Sequence, residues 1–314
     1  MSLTPTWRIL LRARLHEVPD DADLAARWQA LLSAQQWPAS TPITGRGWDA
    51  VLTGPPVALA RDGAEITIGA VHDLVDGLGL LRILDALVDG GVRTDARGVA
   101  DRPTASGTTS SRLREVLRDP PARLSPGPDA VATAGEVIVE ADAPGHHGTA
   151  ALVHAVARVA AVRTGGRRQV AVAVGAGRPT SDGPIHDDSA LLRLTGVEGL
   201  DAEAVAAALR TAPIQPPPAA GAGVAAEALT RVALRVLGPR LGSTFLVSHL
   251  GRVGAPAASD LRFSPATGSG GLALGALTLD DVTRLTLRAS GPRHGWDAAR
   301  LDGVLAAIVA ELRA

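Results

Sequence analysis

Histidine is the residue type best suited to acid–base chemistry in this chain of 314 residues, which has eight histidines and no cysteine, tyrosine, lysine or asparagine. Without cysteine and lysine, the sequence offers no thiol nucleophile, no thiolate metal site, no Schiff-base lysine and no lysine-containing phosphate loop. All 31 basic residues are therefore arginine. The chemistry that remains uses histidine, carboxylates, arginine and hydroxyl groups.

The strongest candidate site is the segment Ile66–Gly79, in which His72 ends an alternating strand and Asp76 and Gly77 open a turn into a helix. A histidine at a strand end can point into a cleft and accept a proton near neutral pH. Asp76 is expected either to orient the imidazole ring or to lock the loop through an ion pair. The alternative is that His72 merely ends a strand and Asp76 is an ordinary turn residue, because this spacing also arises by chance.

Composition and charge limit the classes of partner. The chain is 46% hydrophobic with a mean hydropathy of +0.16, which is enough to build a buried core in one large or two ordinary domains. Its net charge of −1 provides no basic excess for nucleic acid. Arg8, Arg12 and Arg14 interrupt the first apolar run, so a signal peptide is not predicted, and no stretch is long enough to span a membrane. We expect a cytoplasmic protein without a nucleic-acid or membrane partner.

The pattern of elements favours an α+β fold over a doubly wound parallel sheet, because most strands do not alternate singly with helices. The segment Thr104–Pro128, with a short helix near Arg112–Arg118, is the best candidate linker because it is rich in Ser, Thr, Pro and Gly. The predicted strands are Trp7–Leu15, Val57–Ala60, Glu65–Val71, Glu136–Glu140, Gln169–Val174, Ser189–Leu194, Thr244–Val247, Leu272–Leu277 and Val282–Leu287. The predicted helices run from a cap at Asp21 or Asp23 to Gln36, along an apolar stripe over Leu80–Val88, over Thr149–Val162, Asp201–Leu209 and Ala225–Val236, and from Asp297 to the end.

Three parts of the chain resemble, in order, the signatures of one superfamily, the condensation-domain-like and chloramphenicol-acetyltransferase-like acyltransferases. The sequence VHDLVDG at 71–77 is similar to the HHxxxDG signature. The sequences GAGRP at 175–179 and DDSALLR at 187–193 resemble the GRP segment and the N-T-L-x-x-R strand, and VSHLGRV at 247–253 resembles V-S-N-L-G. The chain is thus similar to a short, stand-alone member with a degenerate signature.

This resemblance implies a fold of two chloramphenicol-acetyltransferase-like lobes, arranged as a pseudo-dimer with a tunnel between them. Residues 1–125 would form the N-terminal lobe, which carries the His-x-x-x-Asp-Gly motif. Residues 126–314 would form the C-terminal lobe. The acyl donor and the acceptor would enter the tunnel from opposite faces.

The resemblance also implies roles for individual residues. His72 would be the catalytic base in the middle of the tunnel. Asp76 would form a structural salt bridge with Arg178, and Gly77 would allow close backbone approach beside the histidine. Ser248 is a candidate for contacting the developing oxyanion.

Two differences from the signatures bear on function. Val71 replaces the first histidine, a loss that is common in members that no longer catalyse the usual reaction. His249 replaces the asparagine of V-S-N-L-G; it would place a second titratable group near His72 if it faced the tunnel, or else it is an ordinary strand-end histidine. A chain without any asparagine loses that residue through genome composition alone, so only Val71 is left as a possible functional change.

The function implied is a condensation-like acyltransferase of specialised metabolite biosynthesis, of the nonribosomal peptide or polyketide kind. It would transfer an acyl group from an acyl carrier protein or an acyl-CoA thioester to an amine or hydroxyl of a small-molecule or peptidyl acceptor, with no metal or redox cofactor. One alternative is a repurposed member that catalyses a cyclisation, elimination or rearrangement. Another is a non-catalytic scaffold that binds a carrier protein.

Two other clusters are weaker candidates. His146, His147 and His154 have no carboxylate at the spacing of a metal site, so a metal is not expected there. Asp187 and Asp188 are predicted to lie in a solvated turn rather than to bind magnesium.

Overall fold

The structure is a computed structural model that describes residues 7–17, 19–88, 90–99, 102–105, 118–131, 135–166, 168–178, 183–215, 242–267, 271–291 and 295–314. The predicted helices near Arg112–Arg118 and at Ala225–Val236 lie outside these residues, apart from Arg118.

Strands and helices alternate irregularly over the described residues. The strands are β1 (Arg8–Leu15), β2 (Ile43–Thr44), β3 (Val57–Asp62), β4 (Glu65–Val71), β5 (Arg93–Thr94), β6 (Gly135–Pro144), β7 (Ala171–Gly177), β8 (Ser189–Thr195), β9 (Phe245–Gly254), β10 (Ala258–Ser264), β11 (Leu272–Leu279) and β12 (Val282–Gly291). The helices are α1 (Asp21–Ala34), α2 (Gly77–Leu87), α3 (Thr149–Thr164), α4 (Ala202–Thr211) and α5 (Ala298–Arg313).

The first sheet has the strand order β10-β1-β4-β3-β2 and is antiparallel except for the β2–β3 pair. Its alternating strands bury one face under α1 and α2, where the core includes Ile9, Trp28, Ile68 and Leu84. Asp20 caps α1 by accepting hydrogen bonds from the N–H groups of residues 22 and 23. The helix therefore begins one residue after this aspartate, and the prediction that Asp21 or Asp23 caps it is wrong.

The second sheet has the order β6-β12-β11-β9-β7-β8, and β5 pairs separately with β9. Helices α3 and α5 cover it, and the shared core includes Val156, Phe245, Leu274, Leu287 and Ile308. The mixture of two largely antiparallel sheets with helices packed on them confirms the predicted α+β fold class.

One strand from the C-terminal part of the chain belongs to the first sheet. β10 follows β9 in the chain, yet it leaves the second sheet and pairs with β1 of the first, from Leu10 opposite Ser264 to Leu15 opposite Ala258. This strand is absent from the sequence-based predictions. The division at residue 125 stays a prediction, and β10 lies on the far side of that boundary from the strand with which it pairs.

Charged side chains also join the sheets. Glu140 of β6 contacts Arg12 of β1 at 2.6 Å and Arg262 of β10 at 3.3 Å. Its other carboxylate oxygen accepts a hydrogen bond of 2.7 Å from the indole N–H of Trp48. Because partly buried, hydrogen-bonded pairs hold their geometry better than exposed ones, this cluster fixes the edge of the second sheet against the first. Within the described part of the chain, no helix is long and apolar enough to cross a membrane.

Candidate functional site

A cavity of about 970 Å³ lies where two parallel strands separate. β7 and β9 pair only from Val172 opposite Phe245 to Gly175 opposite Ser248. Beyond that point β9 continues beside β11, while β7 pairs only with β8. Ligands in open sheets commonly bind where neighbouring strands diverge in this way, because the backbone leaves a crevice there.

Residues from both sheets line this cavity. All six residues singled out from the sequence are among them, namely His72, Asp76, Gly77, Arg178, Ser248 and His249. They belong to three separate segments of the chain, so tertiary structure alone brings them together.

His72 directly follows β4, and its backbone N–H donates a 2.8 Å hydrogen bond to the carbonyl of Trp7. This bond fixes the backbone, while the side chain is 30% exposed and faces the cavity. Nδ1 is buried and has no hydrogen-bond partner in the structure, and Asp187 Oδ1 lies 3.8 Å from it. An imidazole held in this way can exchange a proton with a molecule in the cavity.

Asp76 does not form the predicted salt bridge with Arg178. Its side chain caps α2, since one oxygen accepts a 2.7 Å hydrogen bond from the N–H of Gly79, and the other has no partner in the structure. The side chain of Arg178 is exposed at the cavity, and the described residues include no carboxylate within 4 Å of its guanidinium. Capping aims Asp76 along the helix, and this geometry is the physical reason for the difference from the family pattern.

The environment of Asp76 makes ionisation of its carboxyl group less favourable than in water. Burial raises the pKa of the Asp76 carboxyl, and the negative charge of Asp187 raises it further, although the hydrogen bond from Gly79 acts in the opposite direction. Asp76 is only 2% exposed to solvent. The site therefore contains a desolvated carboxyl group four residues after the histidine in the chain.

Gly77 is the first residue of α2 and packs against β9 and β10. A Cβ at this position would lie 2.7 Å from Leu250 Cδ2 and 3.2 Å from the ring of Phe263. A larger residue would push α2, and with it the His72 loop, away from the second sheet.

Ser248 and His249 are consecutive on β9 at the point where β7 diverges. His249 Nδ1 lies 3.2 Å from the hydroxyl of Thr149, the first residue of α3, and its ring centroid is 6.0 Å from that of His146. Burial, aided by the nearby His146, lowers the pKa of His249 to about 4. His249 is therefore a neutral, partly buried group that faces the same cavity as His72.

Sequence reasoning missed Asp187, which it placed in a solvated turn. The residue lies two positions before β8, and its Oδ1 accepts a 2.9 Å hydrogen bond from the N–H of Ser189, the first residue of that strand. Asp188, by contrast, contacts His186 at 2.9 Å. The signal in the sequence was position, because Asp187 lies two residues before a strand that pairs with β7, which leads into the GRP segment. Across the described ranges, no group of three or more potential metal ligands occurs.

Solved structures provide the comparison that identifies the fold. The chain is similar to the EpoB NRPS cyclization-docking bidomain from Sorangium cellulosum, with 13% identity, coverage of 98% of this chain and 80% of that chain, and a TM-score of 0.59. It is similar to the first condensation domain of the calcium-dependent antibiotic synthetase, solved with a substrate analogue, with 16% identity, 98% and 91% coverage and a TM-score of 0.59. It also resembles the starter condensation domain of rhizomide synthetase RzmA in complex with C8-CoA and Leu-SNAC, with 13% identity, 98% and 89% coverage and a TM-score of 0.58.

The protein therefore has a condensation-domain-like fold. No protein-family model matches its sequence, and no curated protein matches it at the significance required. At these low identities the likeness establishes the fold, and the activity has to be argued from the site.

Proposed function

We propose that this protein is a condensation-like acyltransferase, which transfers an acyl group from a carrier-protein or CoA thioester to an amine or hydroxyl in the biosynthesis of a specialised metabolite. The observation that carries this proposal is the placement of His72. This residue directly follows β4, and its imidazole faces a cavity of about 970 Å³ that is lined by residues of both sheets. Such a volume is at the upper end of the range for ligand pockets, in keeping with two substrates that meet there.

The reaction requires one proton carrier. His72 would take the proton from the attacking amine or hydroxyl as the new C–N or C–O bond forms at the thioester carbonyl. The C–S bond then breaks, and the same proton passes to the departing thiolate. Ser248, whose side chain lines the cavity, is the candidate to donate a hydrogen bond to the oxyanion formed between these steps.

The test is the variant His72→Ala, assayed by intact mass against panels of acyl-carrier and acyl-CoA thioesters with amine and alcohol acceptors. Loss of a general base should reduce the rate by about 10²–10⁴-fold. His186→Ala is the matched control because His186 is exposed and pairs with Asp188. Acyl transfer by His72→Ala within a few-fold of the parent protein, with an unchanged circular dichroism spectrum, contradicts the assigned role.

A second candidate is a cyclisation or rearrangement in the same cavity. Val71 favours it, since the first histidine of the signature is missing and the residue pairs with Arg8 as an ordinary part of β4. The two activities give products of different mass, because acyl transfer joins donor and acceptor whereas rearrangement leaves the mass of the substrate unchanged or reduced by water. A scaffold without catalysis is disfavoured by the exposure of His72 to the cavity.

A further inference from the structure

Asp187 and His72 meet although they belong to different sheets. His72 follows β4 of the first sheet, and Asp187 precedes β8 of the second. The carboxylate oxygen lies 3.8 Å from Nδ1, about 1 Å longer than a charge-assisted hydrogen bond. Small rotations of the two side chains close this gap, and Nδ1 is buried with no other partner in the structure.

Two carboxylates are near the ring, and they differ in what they can do. Asp76 is desolvated, which works against a full negative charge on it, and one of its oxygens is already occupied by the N–H of Gly79. Asp187 is 30% exposed, so it keeps contact with water. Its Oδ1 is oriented by the N–H of Ser189. Asp187 is therefore the better acceptor for a proton on the imidazole.

We propose that Asp187 is a positioning residue that accepts a hydrogen bond from the Nδ1–H of His72 and so leaves Nε2 unprotonated towards the cavity. This inference rests on the proposed function in one respect, that His72 acts as a base. A neutral imidazole carries its proton on one nitrogen, and a carboxylate beside Nδ1 selects the tautomer in which Nε2 can accept a proton. It also stabilises the imidazolium that forms when the base acts.

The tautomer of His72 can be measured directly. Protein labelled with ¹⁵N at histidine is examined by long-range ¹H–¹⁵N NMR at about pH 8, where an ordinary histidine is neutral. The His72 signals are assigned by their loss in His72→Gln. We expect the Nδ1–H tautomer to dominate in the parent protein.

Asp187→Asn is the informative variant. The oxygen that accepts from the Ser189 N–H is also the one nearest Nδ1. In asparagine this oxygen is uncharged and accepts more weakly, so the share of the Nδ1–H tautomer of His72 should fall. Asp188→Asn is the matched control and should change the signals of His186 alone. A parent protein that is mainly Nε2–H, or an Asp187→Asn variant with unchanged His72 signals, overturns the proposal.

Kinetics separate this inference from the proposed function. If acyl transfer is detected, Asp187→Asn should lower kcat on the order of 10²-fold with little change in KM, because the residue is proposed to act through the imidazole of His72. If no acyl transfer is found but the tautomer still depends on Asp187, the proposed function fails and the positioning role stands. The parent spectrum alone decides the tautomer if the variant fails to fold.

Discussion

The imidazole of His249 lies where β9 leaves β7, with Nδ1 beside the Thr149 hydroxyl and Nε2 buried without a partner in the structure. Water is largely excluded there, and His146 adds a second imidazole nearby. Since desolvation penalises the charged form, the folded protein binds a proton at this position far less readily than the unfolded chain does.

This burial makes a prediction about pH. The pKa of His249 is lowered from 6.5 to about 4, so between these values the unfolded chain holds a proton that the folded protein does not. The free energy of unfolding should therefore be unaffected by His249 above pH 6.5 and should fall as the pH drops towards 4, by about 2 kcal/mol at pH 5. Urea unfolding at about pH 7.5 and 5 checks this.

The control is the variant His249→Gln, which lacks the titrating group and should lose less stability between the two pH values. His16→Gln removes an exposed histidine at the end of β1 and serves as the comparison. An equal pH dependence of the parent and His249→Gln proteins would show that the imidazole is charged or solvated in the fold.

At the scale of the element, Asp76 caps the N-terminus of α2 and does not form an ion pair with Arg178. Its oxygen satisfies the N–H of Gly79, one of the helix's first N–H groups, which would otherwise have no acceptor. The helix then buries Leu80, Leu84 and Leu87 in the first sheet's core, and this packing sets the direction from which His72 enters the cavity.

The capping role predicts an order of stabilities. Asp76→Asn retains a cap acceptor and removes a desolvated carboxyl, so its free energy of unfolding should lie within about 0.5 kcal/mol of the parent or above it. Asp76→Ala loses the acceptor and should be about 1 kcal/mol less stable than Asp76→Asn. Urea denaturation at neutral pH gives both values.

Arg178→Ala tests the same point from the other side. The exposed guanidinium should contribute no more than about 0.5 kcal/mol to stability. A buried salt bridge would instead cost about 3–5 kcal/mol when either partner is removed. A loss of that size in both Arg178→Ala and Asp76→Asn would contradict this interpretation and support the predicted ion pair between Asp76 and Arg178.

At the scale of the whole molecule, the two sheets are in close contact at Gly275 of β11. A Cβ there would lie 2.1 Å from the carbonyl oxygen of Phe263 in β10. β10 cannot move away easily because it is paired with β1, and Thr286 of β12 also donates to that carbonyl at 2.5 Å. A residue without a side chain is required for this contact.

Gly275→Ala should therefore lower the free energy of unfolding by about 1–3 kcal/mol, the usual cost of overpacking. Gly254→Ala on β9 is the control, since nothing lies within 4 Å of a Cβ at that position, and it should change stability by less than about 0.5 kcal/mol. Urea titrations followed by tryptophan fluorescence measure both. An unaltered midpoint for Gly275→Ala would mean that the sheets are farther apart.

Most of the individual elements were predictable from the sequence. The alternation in Glu65–Val71 and the apolar stripe around Leu84 and Leu87 predicted β4 and α2, and Asp297 was placed correctly at the start of α5. These features are local, since side-chain period and capping residues act within a few positions of the chain. The fold class follows from the order of such elements, and the structure confirms it.

The pairing of distant elements was not predictable in this way. β10 has an alternating pattern like other strands, and nothing in that pattern specifies β1 as its partner. The signature motif indicated His72, but the capping role of Asp76 and the contact of His72 with Asp187 depend on where α2 and β8 finally lie. The sequence by itself thus determined the elements and the histidine, because both are encoded locally. Tertiary structure alone decided which carboxylate faces the histidine, because that contact joins strands of two different sheets.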